Sequence, residues 1–559
     1  MILELDDHHV TIAGSGIPFL TLKAKLHERL KGSIVEEKGR VSFSRASLGI
    51  VADLLPSEFL SNQNIVAAIE PINAHAQARE RVLEIVEGNV SLGVSDEWLN
   101  RLDPAQAVAV AGMVVPGLYG LCLFDEQGSG KTVMTIAAFD ILMEQKVVDA
   151  MIVVCPKTML SAWPNDLEKF LPGKYKVTVA DGNPAERFDK ALENFDLLLT
   201  NFEGVQHIYT GIKALSGSKK FLLVVDESFF VKNPDAQRAE AATKLRSCCM
   251  KCYVLCGTPA PNSAYDLINQ FDMADTGYTF GSFSKSKDEN FDTDKIVELV
   301  DTRGTYIRRL KTDILSDIPD KNFHIEHVQL TGKQADMYEK ARTDLLLELR
   351  GLDNKTFKKK LASYFQKRAA LLQICANPAS IDPTMTDEAA KLKALDALIS
   401  RLISAGRKVI VWSFYKKSIE EVCERYKKYS PLRVDGSVDT KSRNDAVLAF
   451  QNDPGRMLFV ANPAAAGAGI TLHAAYDAIY LSYSNQAAHY LQSLDRIHRR
   501  GQKSKEVNYY LLVCRNTIEE TEVRRLREKE LHQHSLLGDQ ITWPSDLDDA
   551  LSELSHPIT

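Results

Sequence analysis

Leu121-Cys122-Leu123-Phe124-Asp125-Glu126-Gln127-Gly128-Ser129-Gly130-Lys131-Thr132 reads as an apolar strand, a glycine-bearing turn and the start of a helix. Gly128 and Gly130 let successive backbone N–H groups curl around a phosphate, and the helix N-terminus adds its partial positive charge. In that arrangement Lys131 reaches the β/γ-phosphates and the Thr132 hydroxyl binds Mg²⁺. Asp125 stands where the pattern G-x-x-x-x-G-K-[ST] has its first glycine. A nucleoside triphosphate with Mg²⁺ is the expected ligand.

Further along, Phe221-Leu222-Leu223-Val224-Val225-Asp226-Glu227 is an apolar strand ending in two carboxylates. At the carboxyl edge of a parallel sheet they would face the phosphate loop. Asp226 is expected to hold Mg²⁺ through water, and Glu227 to orient and deprotonate an attacking water. Strand-like runs at Gly120 to Phe124, Met151 to Cys155, Leu197 to Thr200, Phe221 to Val225 and Tyr253 to Cys256 alternate with helical segments, which predicts an α/β lobe. After a helical, charge-rich stretch a second such pattern begins at Lys408-Val409-Ile410-Val411-Trp412. The fold class expected is therefore α/β: two tandem lobes of parallel sheet wrapped by helices, preceded by a small α+β domain. One phosphate loop and one acidic pair serve two lobes, so the second must contribute its own group to the γ-phosphate. Arg496 and Arg499, three residues apart on a predicted helix face, are the candidates for transition-state charge stabilisation.

In this order the residues resemble the Swi/Snf-type branch of the superfamily-two helicase-like ATPases, which are double-stranded DNA translocases built on RecA-like lobes. The resemblance covers roughly residues 102 to 525. It rests on Leu102-Asp103-Pro104-Ala105-Gln106, Asp125 to Thr132, Val153 to Thr158 with Trp163, Thr200-Asn201-Phe202-Glu203, and Asp226-Glu227-Ser228-Phe229 with Lys232-Asn233. It continues through Leu255-Cys256-Gly257-Thr258-Pro259 with Asn262, Arg308 to Lys311 with Ile318 to Lys321, Val411-Trp412-Ser413, Asp435-Gly436-Ser437 with Arg443, Gly467 to Leu472, and Gln492 to Gln502. It implies that ATP is held by Gln106, Asp125, Gly128, Gly130, Lys131, Thr132 and Gly469. It also implies that one DNA strand's phosphates are gripped by Lys157, Thr158, Thr200 and Asn201 on the first lobe, and by Ser413 and Thr471 on the second. The chain departs from the family pattern at Ala105, where an aromatic is usual, at Phe229, where a histidine is usual, and at Ser482 and Asn485. These variants resemble compact bacterial and phage members.

Between the lobes, Lys355, Lys358, Lys359, Lys360, Lys367 and Arg368 put six positive charges in fourteen residues without an acid. The choice is between a solvated helix face and a phosphate-backbone track, and Lys358, Lys359 and Lys360 are the DNA contacts expected of a track. Cys248, Cys249, Cys252 and Cys256 have no second ligand pair at zinc-finger spacing and read as structural thiols. His532 and His534 likewise lack partner ligands.

Composition sets limits. Sixty-eight Lys and Arg against 74 Asp and Glu give a net charge of −6, which excludes a globally basic nucleic-acid binder but not a local basic groove. No apolar run approaches the roughly 18 residues of a membrane span. The first residues lack a signal peptide's positive region, and nine cysteines, an odd number, fit a reducing compartment. A bacterial cytoplasmic or nucleoid protein is expected, with no membrane partner. The expected domains are an accessory domain of unknown role at 1–98, the ATP-binding lobe at 99–312, a helical linker at 313–390, the second lobe at 391–530 and an acidic, solvated tail at 531–559. Any protein partner would dock through residues 1–98. The expected function is an ATP-dependent motor that translocates on double-stranded DNA without processive strand separation, remodelling DNA or DNA–protein complexes in a setting such as defence or repair. The rivals are a strand-separating DNA or RNA helicase and a non-hydrolysing nucleic-acid scaffold. Lys131, Glu227, Arg496 and Arg499 argue against the scaffold, and the Arg308 to Lys321 segment against the RNA helicase.

Overall fold

The apolar runs become strands of two separate parallel sheets. The computed structural model describes residues 1–6, 9–30, 33–88, 93–260, 263–281, 283–314, 318–385, 387–466, 470–483, 487–499, 501–531 and 546–555. His532, His534, Asn262, Asn485 and Gly467 to Gly469 lie outside them. The chain divides into two compact units, Met1–Ile314 and Leu315–Thr559.

In the first unit the strand order is Tyr306–Ile307, Gly120–Leu123, Lys251–Leu255, Phe221–Asp226, Ala150–Cys155, Leu197–Asn201 and Val177–Val179. Every pairing is parallel. A parallel sheet is covered on both faces, so its central strands carry unbroken apolar runs rather than alternation, and Gly120–Leu123, Ala150–Cys155 and Phe221–Asp226 are buried throughout. Lys251–Leu255 lies between the strand of the phosphate loop and the strand of the acidic pair. Leu255 is in register with Leu123 on one side and Asp226 on the other, so both functional strand ends finish level.

The N-terminal residues form a four-stranded antiparallel sheet, in the order Ile2–Leu5, His9–Ala13, Arg40–Ser44 and Ile34–Glu37. Its apolar face closes over helix Gly16–Leu30 in a core that includes Val10, Ile12, Leu26, Val41 and Phe43. This α+β region is fastened to the lobe that follows it. Arg79, on helix Gln63–Val86, donates to the carbonyls of Gly304 at 3.0 Å and Asp301 at 2.8 Å, and the Ser33 hydroxyl donates to the Phe280 carbonyl at 3.0 Å. From the same helix the fully buried His75 stacks on Tyr119 at 4.6 Å and meets Tyr278 edge-on at 4.8 Å. Its Nδ1 accepts the Tyr119 N–H at 3.2 Å, which requires the neutral ring.

The second sheet runs Asp320–Val328, Glu506–Cys514, Asp477–Tyr480, Val409–Trp412, Leu458–Ala461 and Leu432–Val434, again all parallel. Residues 320–328 correct the expected linker of 313–390, because they form the edge strand of the second lobe. An edge strand has one neighbour and keeps polar side chains toward solvent, so Asp-Lys-Asn-Phe-His-Ile-Glu-His-Val carries no apolar run to read. Helices follow at Gly332–Arg350, Asn354–Ala376 and Ala390–Ser404.

The expected solvated tail is also corrected over its described part. Leu547–Ser555 is a helix whose Leu547, Ala550 and Leu554 share a core with Phe357, Tyr364 and Leu371. Its Glu553 accepts from Arg368 and Arg525, at 2.7 and 2.8 Å, and from the Tyr364 hydroxyl at 2.6 Å. Arg368 also donates to buried Glu522 at 2.7 Å. With no exposed surface, Arg368 is the internal counter-ion of two acids, because a buried charge must be paired. It is not part of a basic track. Lys358, Lys359 and Lys360 remain exposed, and Lys367 pairs with Glu348. Among the described residues no helix is long and apolar enough to cross a membrane.

Burial of His75, aided by the charges of Lys251, Arg246 and Arg79, lowers its pKa from 6.5 to about 3. The unfolded chain therefore binds a proton between these values that the folded one excludes, and stability rises with pH across that window. Urea unfolding of the first unit should weaken below pH 6.5 by up to about 1.4 kcal/mol per pH unit from this residue. His75→Phe should flatten that slope. An unchanged slope would place the pH dependence elsewhere.

Candidate functional site

At the carboxyl edge of the first sheet the turn after Gly120–Leu123 enters helix Lys131–Glu144. Gly128 and Gly130 adopt φ of 87° and 93°, a region that costs glycine no steric penalty. At Gly130 space forbids a side chain as well, since a Cβ would come within 2.4 Å of Gln106 Nε2. The Lys131 ammonium donates to the carbonyls of Asp125 at 2.8 Å and Glu126 at 3.3 Å. Buried Ser129 Oγ has no hydrogen-bond partner among the described residues. Turned amides, a lysine and an unused hydroxyl form a donor set that fits a polyphosphate. Thr132 is partly exposed at the start of the helix.

The acidic strand ends beside this loop. Burial pushes the Asp226 carboxyl above its ordinary value, against the hydrogen bond from Trp163 and the charge of Lys131. Trp163 Nε1 donates to Asp226 Oδ2 at 3.0 Å, and the Glu227 N–H to Oδ1 at 2.9 Å. Glu227 sits at φ 52°, ψ 53°, a left-handed conformation that costs a non-glycine residue on the order of 1–3 kcal/mol and clusters at functional sites. Gln127 Nε2 fixes its carboxylate by donating to Oε1 at 2.8 Å. The oxygen donors of Thr132 and Asp226 suit a hard divalent cation.

Two side chains at this edge are engaged by the protein itself. Gln106 spends both ends of its amide on protein: Oε1 accepts the Asp103 N–H at 3.1 Å, at the start of helix Pro104–Met113, and Nε2 donates to the Ser129 carbonyl at 2.9 Å. It braces the phosphate loop here. Asp125 has no exposed surface, and its carboxylate faces away from the loop onto Arg309, whose Nε and Nη2 reach its two oxygens at 3.1 and 2.5 Å. The ladder that begins with Tyr306–Ile307 continues with Phe124 N–H to the Ile307 carbonyl at 2.7 Å and Glu126 N–H to the Arg309 carbonyl at 3.1 Å. Buried Lys311 donates its N–H to Glu126 Oε2 at 2.9 Å. The sequence flagged Arg308 to Lys311 without giving it work. Two adjacent acids before a phosphate loop and two separated bases could have signalled the clamp.

The DNA-contact assignments divide. Lys157 is exposed and Thr158 and Thr471 are partly exposed. Thr200 is fully buried, with its hydroxyl donating to the Ala180 carbonyl at 3.3 Å, and Arg187 donates to Asn201 Oδ1 at 2.7 Å. Ser413 is fully buried and 3.0 Å from Ser482 Oγ, which also accepts the Phe414 N–H at 2.9 Å. These three strand-end polar groups are shut away from water and are satisfied inside the protein. Arg496 and Arg499 lie in turns beyond helix Ala487–Leu494, not on a common helix face. The chain leaves the helix there because the Leu472 N–H takes the Arg496 carbonyl at 3.0 Å and the His498 ring bonds the Pro319 carbonyl at 3.0 Å. Both guanidinium groups still converge, donating to the Ile470 carbonyl at 3.2 and 3.4 Å. Gly469 lies outside the described residues.

Burial pushes the Cys252 and Cys256 thiols up to about 12, which keeps them protonated. Cys375, Cys514 and Glu519 are close enough to share a metal ion, but the Glu519 oxygens already accept from Lys391 at 2.7 Å and from the Cys514 N–H at 2.9 Å.

Two family models match the chain: an SNF2-related domain over residues 97–380 and a helicase conserved C-terminal domain over residues 390–501. An uncharacterised ATP-dependent helicase of Mycoplasma genitalium is 28% identical over 464 residues, covering 81% of this chain and 44% of that protein. The ISWI chromatin-remodeling complex ATPase of Saccharomyces cerevisiae is 27% identical over 438 residues, covering 73% and 38%. The chain thus spans less than half the length of these relatives. The SWI2/SNF2 ATPase core of Sulfolobus solfataricus, solved in complex with dsDNA, is 23% identical with a TM-score of 0.36, covering 82% of this chain and 97% of that one.

Removing Arg309 strands the Asp125 carboxylate without exposure. Arg309→Met should lower the stability of the first unit by about 3 kcal/mol, measured by urea unfolding. Adding Asp125→Asn should recover much of the loss, because the double variant buries no lone charge. Additive losses would show that the two side chains are not coupled.

Proposed function

Because the chain belongs to the SNF2-related domain family, we propose that it is a DNA-dependent ATPase, a motor that steps along double-stranded DNA without processive strand separation. The observation that carries this reading is the level carboxyl edge of the first sheet, where the strands before the phosphate loop and the acidic pair finish side by side and Gln127 of the loop bonds Glu227. In it the Lys131 ammonium takes the β/γ-phosphates of ATP. Thr132 and Asp226 hold Mg²⁺, which when bound neutralises phosphate charge. Glu227, kept in place by Gln127, accepts the proton of the attacking water. Arg496 and Arg499 are assigned to the charge that builds on the transferring phosphoryl group. Exposed Lys157, Lys358, Lys359 and Lys360 and partly exposed Thr158 and Thr471 are the phosphate contacts this reading retains. Phosphate contacts position without reading bases, so the motor is indifferent to sequence.

Lys131→Ala should weaken nucleotide binding, whereas Glu227→Gln should bind ATP as the parent does and lose turnover by at least two orders of magnitude, the scale of a general base. Isothermal titration alongside steady-state hydrolysis separates the two effects. A near-parental rate in Glu227→Gln would remove the general-base assignment.

Duplex DNA should stimulate hydrolysis at least as well as single strands. The protein should displace the third strand of a triplex yet fail to separate a tailed duplex. Stimulation by single strands alone, with efficient duplex separation, would replace the translocase reading with the helicase one.

A further inference from the structure

Phe229 stands where the family resemblance has a histidine, and the acidic pair reaches the Gly257-Thr258-Pro259 loop through the residue before it. The Ser228 hydroxyl, fully buried, donates to Gln270 Oε1 at 2.5 Å. Gln270, also fully buried on helix Ile268–Asp275, donates through Nε2 to the carbonyls of Pro259 and Asp266, each at 2.6 Å. Only an NH₂ group can serve two carbonyls, so the amide has one orientation and its oxygen must face Ser228. The Asp266 carboxylate is anchored by Lys232 at 2.9 Å. At its other end the loop lies against Gln127, because a Cβ on Gly257 would come within 2.7 Å of Gln127 Cγ. Gln127 in turn holds the Glu227 carboxylate. The Gly257-Thr258-Pro259 loop thereby grips Glu227 twice, through its side chain by way of Gln127 and through the next residue by way of Ser228 and Gln270.

We propose that Gln270 is a positioning residue that couples the Gly257-Thr258-Pro259 loop to Glu227, so that the angle of the general base, and through it the stimulation of hydrolysis by DNA, depends on the Ser228–Gln270–Pro259 bonds. This rests on the DNA-dependent ATPase reading. Gln270 touches neither nucleotide nor water in this scheme; it acts through Ser228. The left-handed backbone of Glu227 makes its orientation depend on neighbours, because a strained conformation persists only when its surroundings hold it.

The test uses the full-length chain as parent, Ser228→Ala, Gln270→Met and the double variant, each assayed for ATP hydrolysis with and without duplex DNA. Both single variants should keep the KM for ATP within twofold, and the ratio of DNA-stimulated to DNA-free kcat should fall at least tenfold. The double variant should lose no more than Gln270→Met alone, since Ser228→Ala cuts a bond that Gln270→Met has already removed. Loss of folded protein alone would lower both rates equally and leave the ratio at its parental value. A DNA-responsive parent whose variants keep that ratio overturns the coupling alone. A parent with no response to DNA overturns the motor reading and the coupling with it.

Discussion

A carboxylate with no exposed surface sits beneath the phosphate loop, and a guanidinium 184 residues further along the chain neutralises it. An unpaired Asp125 there would cost several kcal/mol, so the segment carrying Arg309 has to return to the phosphate-loop strand. It does so as an edge strand, Tyr306–Ile307, laid parallel to Gly120–Leu123. Its ladder runs on past the strand end into the loop, at Glu126. Glycines at 128 and 130 make the turn possible, while the Arg309 clamp fixes where its base stands. Gln106 also holds the turn by joining a helix start to the Ser129 carbonyl. The loop is thus held from flanking elements, with the Glu126 N–H spent on the Arg309 carbonyl and the Ser129 N–H on the Glu126 carbonyl.

The same economy governs the acidic pair. Asp226 is oriented by a tryptophan and Glu227 by a glutamine, so each carboxylate has a neutral donor that fixes where it points. Where the family resemblance has a histidine this chain has Phe229, stacked on Phe230 at 4.5 Å, and the neighbouring Ser228 bonds a glutamine 42 residues further along the chain.

In the second unit a basic run proved to be two things. Lys358, Lys359 and Lys360 face outward, while Arg368 on the same helix is the hub of an internal ion cluster with Glu522 and Glu553. Charge counted along a helix cannot separate these cases, because the partners come from residues 154 and 185 positions away. The acids of the C-terminal region read as solvated for the same reason. In fact Glu553 sits on a helix whose apolar face completes a core, and the ion cluster follows from that docking.

What the sequence determined by itself was whatever short-range physics controls. The central strands were legible because a strand buried on both faces must be apolar throughout. The phosphate loop was legible because positive φ demands glycine, and the acidic pair because it follows such a strand directly. The edge strands Tyr306–Ile307, Asp320–Val328 and Leu432–Val434 were not, since an edge tolerates polar or very short segments. Tertiary structure alone decided which way Asp125, Gln106, Thr200, Asn201 and Ser413 point, and that Arg496 and Arg499 meet in turns rather than on a helix. Each of those outcomes depends on a hydrogen-bond partner remote in the chain. A buried polar group takes whichever partner the fold brings to it, and residue spacing carries no record of that choice.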